Sequence, residues 1–194
     1  MFRRLLSRFR ASRPSTAETA AAVSTVPVGA AAGLRVVEVD DAEPVAGALF
    51  ERVFRTTIPR VPRHFVLLLE AGGAAPLTIG YVHQTPFEGG LAHLSGGLIA
   101  DAWQFRRLSG PAQAAIRERG GIAEWLMRDS IRLCQPCKAF YACIGDAKSR
   151  TVNERVGFRR AEGAHQYLFV NPMPGSTADE LDALTQRVSQ LGLF

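Results

Sequence analysis

The sequence predicts an α/β chain of the α+β kind: a central mixed, mostly antiparallel sheet flanked by helices, with one extra helix at the C-terminus. Three observations carry this. Apolar runs of strand length, bounded by Gly, Pro and Asp, recur between residues 34 and 171. Segments of helical periodicity separate some of these runs but not all, so hairpins and crossovers are mixed. With 194 residues, 47% of them hydrophobic, the chain buries one sizeable core and leaves little for a second.

The folded part is expected over residues 34–175. Leu34 to Val39 reads as a strand, and Asp40 or Asp41 as the cap of a helix from Glu43 to about Arg55, with Val45, Leu49, Val53 and Phe54 facing a core. Pro59 and Pro62 interrupt the chain before a near-continuous apolar strand, His64 to Glu70. Gly72-Gly73 marks a turn, and Leu77 to His83 returns antiparallel. A further turn about Glu88 leads to a strand from Leu91 to about Ile99. Residues 101–116 hold one or two short helices. From Gly121, Ile122, Trp125, Leu126 and Leu133 mark one helical face, and Glu124, Arg128 and Arg132 another, until Pro136 ends the helix. After Pro172 and Pro174, Thr177-Ala178-Asp179-Glu180 is a capping-box start for a C-terminal helix within 176–194, carrying Leu181, Leu184, Val188 and Leu191.

Charge is distributed unevenly. Arg3, Arg4, Arg8, Arg10 and Arg13 all precede the first acid, Glu18, and without these five of the 23 basic residues the rest balances the 18 acidic ones. A nucleic-acid-binding domain carries its basic excess on its folded surface, so no nucleic-acid partner is expected. Residues 1–33 read as a basic arm and linker. Phe2, Leu5, Leu6 and Phe9 fall at helical spacing opposite the arginines, so residues 1–13 suit an anionic membrane surface or an acidic carrier protein. No apolar run approaches the roughly 20 residues that span a bilayer. A cytoplasmic, at most membrane-peripheral, location is expected. Cys134 and Cys137 have metal-like spacing, but no second pair completes a site, so Cys143 and these two are expected as reduced thiols, with no metal.

The stretch from Asp146 to Phe158 lies between the apolar runs Phe140 to Ile144 and Tyr167 to Val170. It resembles the C-terminal signature of the GCN5-related N-acetyltransferase (GNAT) superfamily, and the element order over residues 34–171 matches that family too. Asp146 holds the helix-opening position and Asn153 the position where the family often has a Tyr. The resemblance implies an acyltransferase that moves an acetyl or other acyl group from acetyl-CoA or another acyl-CoA onto an amine acceptor by direct attack. It also implies that the fourth strand parts from the fifth, so that Leu98 and Ile99 line the donor. Arg117-Glu118-Arg119-Gly120-Gly121-Ile122 is similar to the family's phosphate turn, which brings Arg117, Arg119, Gly120, Gly121 and Ile122 to the pyrophosphate and Asp146 and Asn153 to the pantetheine arm. About twenty residues separate Ile99 from Arg119. A similar connection occurs in acyl-homoserine-lactone synthases, which makes an acyl-carrier-protein donor one alternative. A non-catalytic acyl-CoA binder that lost the Tyr is another.

Acyl transfer to an amine needs a base. If the hairpin turns about Glu88, His83 and His93 become cross-strand partners on one face. His93 is then the first candidate base, on the strand expected to line the acyl site, with Glu88 at the rim second and His83 beside them.

Overall fold

The computed structural model describes residues 33–70 and 75–194. The expected arm of residues 1–33 and the Gly72-Gly73 turn therefore lie essentially outside the described residues. Seven strands form one sheet in the order β1-β2-β3-β4-β5-β7-β6. They are β1 (Leu34–Val39), β2 (Arg63–Leu69), β3 (Leu77–Phe87), β4 (Ala92–Ala100), β5 (Ala139–Cys143), β6 (Arg159–Arg160) and β7 (Leu168–Pro172). All neighbours are antiparallel except β4 and β5, which run parallel. The helices are α1 (Glu43–Phe54), α2 (Ala102–Arg107), α3 (Gly110–Glu118), α4 (Ile122–Leu133), α5 (Ala147–Arg155) and α6 (Ala178–Ser189). The mixed, mostly antiparallel sheet with flanking helices and an added C-terminal helix is the expected architecture, with the two-residue β6 as an addition.

Strand alternation divides the apolar side chains between the two faces of the sheet. On one face Phe65, Ile79 and Phe140 cluster with Ile116 of α3 and Leu126 of α4. On the other, Leu49 and Phe50 of α1 meet Val66 and Tyr81, while Leu184 and Val188 of α6 meet Tyr141 and Leu168. The C-terminal helix starts with the expected capping box between Thr177 and Glu180.

Helix α1 departs from expectation in its facing. Its buried side is Ala46, Gly47, Leu49 and Phe50, whereas Val45, Val53 and Phe54 are exposed. Large size misled here: the small residues are the ones that let the helix approach the sheet. Its N-cap is Ala42, and Asp41 instead accepts the Glu43 amide at 3.0 Å.

The β3–β4 hairpin also departs, and with consequence. A three-residue 3₁₀ turn, Glu88–Gly90, lengthens the loop, so the register pairs Phe87 with Ala92 and Pro86 with His93. His83 pairs with Gly96, not with His93. Opposed residues now have indices of unlike parity, so the two histidines stand on opposite faces. Farther along, Tyr81 pairs with Ile99, and Gly97 and Leu98 together oppose Val82. That is a β-bulge in β4, with Gly97 at φ 62° taking the left-handed conformation such a bulge favours.

Candidate active site

The pairing of β4 with β5 runs only from Ala92/Ala139 to Ser95/Ala142. Beyond it, Gly96 to Ala100 continue against β3 alone, while β5 ends at Cys143 and the chain turns away into α5. The two strands part just where the bulge twists β4. Parallel strands twist, and without a ladder to hold them the divergence grows toward their C-terminal ends.

Helix α4 starts beside that open end: a Cβ on Gly80, the partner of Ala100, would strike Ile122 and Leu126. Gly121 precedes the helix at φ 103° and ψ 170°, a backbone region that essentially only glycine occupies, and no side chain caps the first amides. Those amides and the helix dipole favour an anion. In this structure a carboxylate of the chain itself lies there. Glu124 folds back over Gly120, whose Cβ would come within 2.3 Å of the carboxyl group, and Arg128 grips its Oε1 at 2.7 and 3.1 Å. Arg119 stacks on Trp125 at 4.4 Å, and Arg117 on Phe105 at 5.3 Å. Arg119, Gly120, Glu124, Trp125 and Arg128 are among the residues that line an open pocket of ≈ 510 Å³.

The three acid–base candidates are not brought together. His83 lies at the bulge, with its imidazole flat against two glycines. A Cβ on Gly96 would fall 2.5 Å from Nε2, and one on Gly97 2.8 Å from Nδ1. Burial lowers its pKa to about 3, so it is neutral across ordinary pH. His93 sits at the paired end of β4, on the α4 face, stacked on Phe140 at 5.3 Å. Glu88 is at the same far end, in the hairpin turn, where Arg187 of α6 holds it with two bonds of 2.6 and 2.9 Å.

Buried His93 bears on stability. It is 3% exposed and burial lowers its pKa from 6.5 to about 4. The unfolded chain therefore takes up the proton first. The stability that neutral His93 contributes is complete above pH 6.5 and is lost as the pH falls toward 4, by at most on the order of 3 kcal/mol. Thermal melts are expected to show the midpoint dropping across that window. A His93→Phe variant should drop less, with the remaining slope carried partly by His83; an unchanged slope would contradict the buried neutral state.

The other expected binding residues are distributed as follows. Leu98 and Ile99 lie in the part of β4 beyond its pairing with β5. Asp146 caps α5, accepting the amides of Lys148 and Ser149 at 2.9 and 3.0 Å and the Ser149 hydroxyl at 2.6 Å. These bonds lower its pKa and tie it to its own helix. Asn153 is 4% exposed; its Nδ2 donates to the Ser149 carbonyl at 2.8 Å and its Oδ1 has no partner. Tyr141 is bonded to Thr185 of α6 at 3.1 Å, whereas Tyr167 is exposed and passes the end of β5, its carbonyl accepting the Ile144 amide. The three cysteines are free thiols, and burial raises the pKa of each. No cluster that would hold a metal occurs among the described residues. No described helix is long and apolar enough to cross a membrane.

Sequence reasoning missed Tyr81, His64, Gly96 and Gly97 as parts of the site. Their signal was parity: once His64 pairs with His83, both and Tyr81 share one face, but the pairing itself is not written in any local pattern.

The strand order, the bulged fourth strand parted from the fifth and the helix beginning at the parting are the arrangement that the resemblance implied. No family model and no curated protein matches the sequence. Solved structures of similar fold include the KacTA–DNA complex, with 17% identity and a TM-score of 0.46 over 79% of this chain and 99% of that one. AtaTR bound with AcCoA is similar at 14% identity and a TM-score of 0.42, over 78% and 98% of the two chains. An acetyltransferase of the GNAT family from Bacillus anthracis is similar at 15% identity and a TM-score of 0.32, over 55% of this chain and 61% of that one. The expectation that excluded nucleic acid from the partners is corrected: proteins of similar fold include a complex formed on DNA. A balanced charge on one chain does not by itself exclude nucleic acid, since in a complex another chain can carry the basic surface.

Proposed function

We propose that this protein is an N-acyltransferase that takes an acyl group from acyl-coenzyme A and passes it to an amine acceptor by direct attack. The observation that carries the reading is the parting of β4 from β5 beside an uncapped helix N-terminus. A long flexible thioester with a charged diphosphate at one end is the kind of ligand that suits both at once. In this reading Ile122, Ala123 and Glu124 offer their amides to the diphosphate, and Gly120 and Gly121 allow it close approach. Arg117, Arg119 and Arg128 supply positive charge, with Arg128 released from Glu124 as the diphosphate arrives. Leu98 and Ile99 flank the pantetheine arm, and Asp146 and Asn153 close its other side.

His83 is the base that best suits this geometry, because Gly96 and Gly97 bring its ring to the bulge where the acyl carbonyl would lie. The amine nitrogen attacks that carbonyl carbon, His83 takes the nitrogen's proton, and the carbon–sulfur bond breaks. Asn153 cannot donate a proton, so solvent protonates the departing thiolate. Acetyl-coenzyme A should raise the melting temperature of the full chain, and a panel of amines should include one that provokes thiol release. Stabilisation without release from any amine would make the protein a non-catalytic binder. No stabilisation by any acyl-coenzyme A would end the reading.

A further inference from the structure

Two cavities share one wall. The pocket at the head of α4 and a second cavity of ≈ 380 Å³, toward the other end of that helix, are both lined by Arg128. Around the second stand Arg132 and Gln135, with the apolar residues Ile131, Val156 and Met173. No carboxylate of the described residues lines it, whereas Glu124 and Asp129 line the first. The formal charge around the second cavity is therefore of one sign.

The donors that converge on this cavity have poor partners. Gln135 Nε2 donates to the Met173 sulfur at 3.3 Å, and a thioether is a weak acceptor. Arg132 lies 3.5 Å from Asp129, longer than a good ionic hydrogen bond, and half of its side chain is exposed. Arg128 holds Glu124 on one side and donates to the Arg155 carbonyl at 2.8 Å on the other. That carbonyl belongs to the residue before Val156, so the guanidinium reaches from the first cavity to the second. Three N–H donor groups beside an apolar wall match an anionic head on an apolar body. One negative charge is enough, because each arginine is already partly neutralised by a carboxylate of its own helix. A carboxylate also suits the planar guanidinium fork.

We infer that this cavity is a second ligand site, for a small carboxylate on an aromatic or branched apolar body, and that its occupant opposes donor binding through Arg128. The second clause rests on the acyltransferase reading above, in which Arg128 leaves Glu124 for the diphosphate. An anion seated beside Arg132 draws the same guanidinium the other way. Glu124 then stays over Gly120 without its cation, a bare carboxylate beside the amides that would hold the diphosphate. One arginine cannot serve both anions at full strength, so each ligand weakens the other by the same factor.

Calorimetry on the full chain tests both parts, with 2-naphthoate as the probe. Naphthoate should bind, while naphthalene-2-carboxamide and acetate, which keep only the body or only the charge, should bind about tenfold more weakly or worse. Arg132→Gln and Gln135→Leu, each checked for folding by its melt, should weaken naphthoate about tenfold. Saturating naphthoate should raise the Kd for acetyl-coenzyme A about fivefold and then have no further effect, and in Arg128→Gln it should have none. Equal binding of the carboxamide, or folded variants that bind naphthoate as the parent does, overturns the site. A donor Kd that climbs without limit puts naphthoate in the donor pocket and overturns the inference too. A donor Kd that does not move overturns the coupling. Naphthoate bound through Arg132 by a protein that binds no acyl-coenzyme A supports the site and counts against the transferase reading alone.

Discussion

A Gly96→Ala variant is expected to keep binding the acyl donor while its kcat falls by about a hundredfold or more, the scale of losing a positioned base. The reason is space. The new methyl group would lie 2.5 Å from His83 Nε2, closer than any real contact, and 3.0 Å from the adjoining ring carbon. The ring cannot retreat along its own side, because Gly97 and the Phe50 ring close the other flank. It must swing off the bulge, breaking its bond to Tyr81. The donor amides at α4 are on the opposite face and should be untouched. Overpacking of this kind costs about 1–3 kcal/mol of stability, so a melt accompanies the assay to show that the variant is folded. Full activity in a folded Gly96→Ala protein would mean that His83 is not the base.

The second large effect is a gain. Glu124→Gln is expected to tighten acyl-coenzyme A binding by about tenfold, measured by calorimetry at low salt. The carboxylate lies over Gly120, beside the amides proposed for the diphosphate, and two unit charges 4 Å apart near a protein surface repel by about 4 kcal/mol before relaxation. Neutralising it also frees Arg128, which now spends two hydrogen bonds on Glu124. Relaxation and water recover much of that repulsion, hence the smaller figure. Arg128→Ala should shift affinity the other way. If Glu124→Gln weakens binding, Glu124 is holding the helix turn in shape, and the diphosphate site lies elsewhere.

Much of the fold was legible along the chain because it is set by local chemistry. Leu34 to Val39 is a strand of the expected bounds, Asp146 caps α5 as its position suggested, and Thr177 with Glu180 opens α6. Each depends on residues within four positions of one another. The site was legible only where it too is local. Gly120 and Gly121 precede a helix with no cap, as a glycine pair before an amphipathic stretch implies. The facing of α1 was not legible, because Ala42, Ala46 and Gly47 attract no attention until there is a sheet for them to approach.

By itself, then, the sequence determined the elements, their order and the glycine turn at the head of α4, since propensity, capping and periodicity act over a few residues. Where His83, His93 and Glu88 stand relative to one another was set only in three dimensions. A three-residue turn in place of a tighter one changed the parity of the β3–β4 pairing and sent the two histidines to opposite faces. A single bulge then set His83 at the parting of β4 from β5 and left His93 stacked on Phe140 at the closed end. Register is a property of two strands and the turn between them, so no reading of either strand alone contains it.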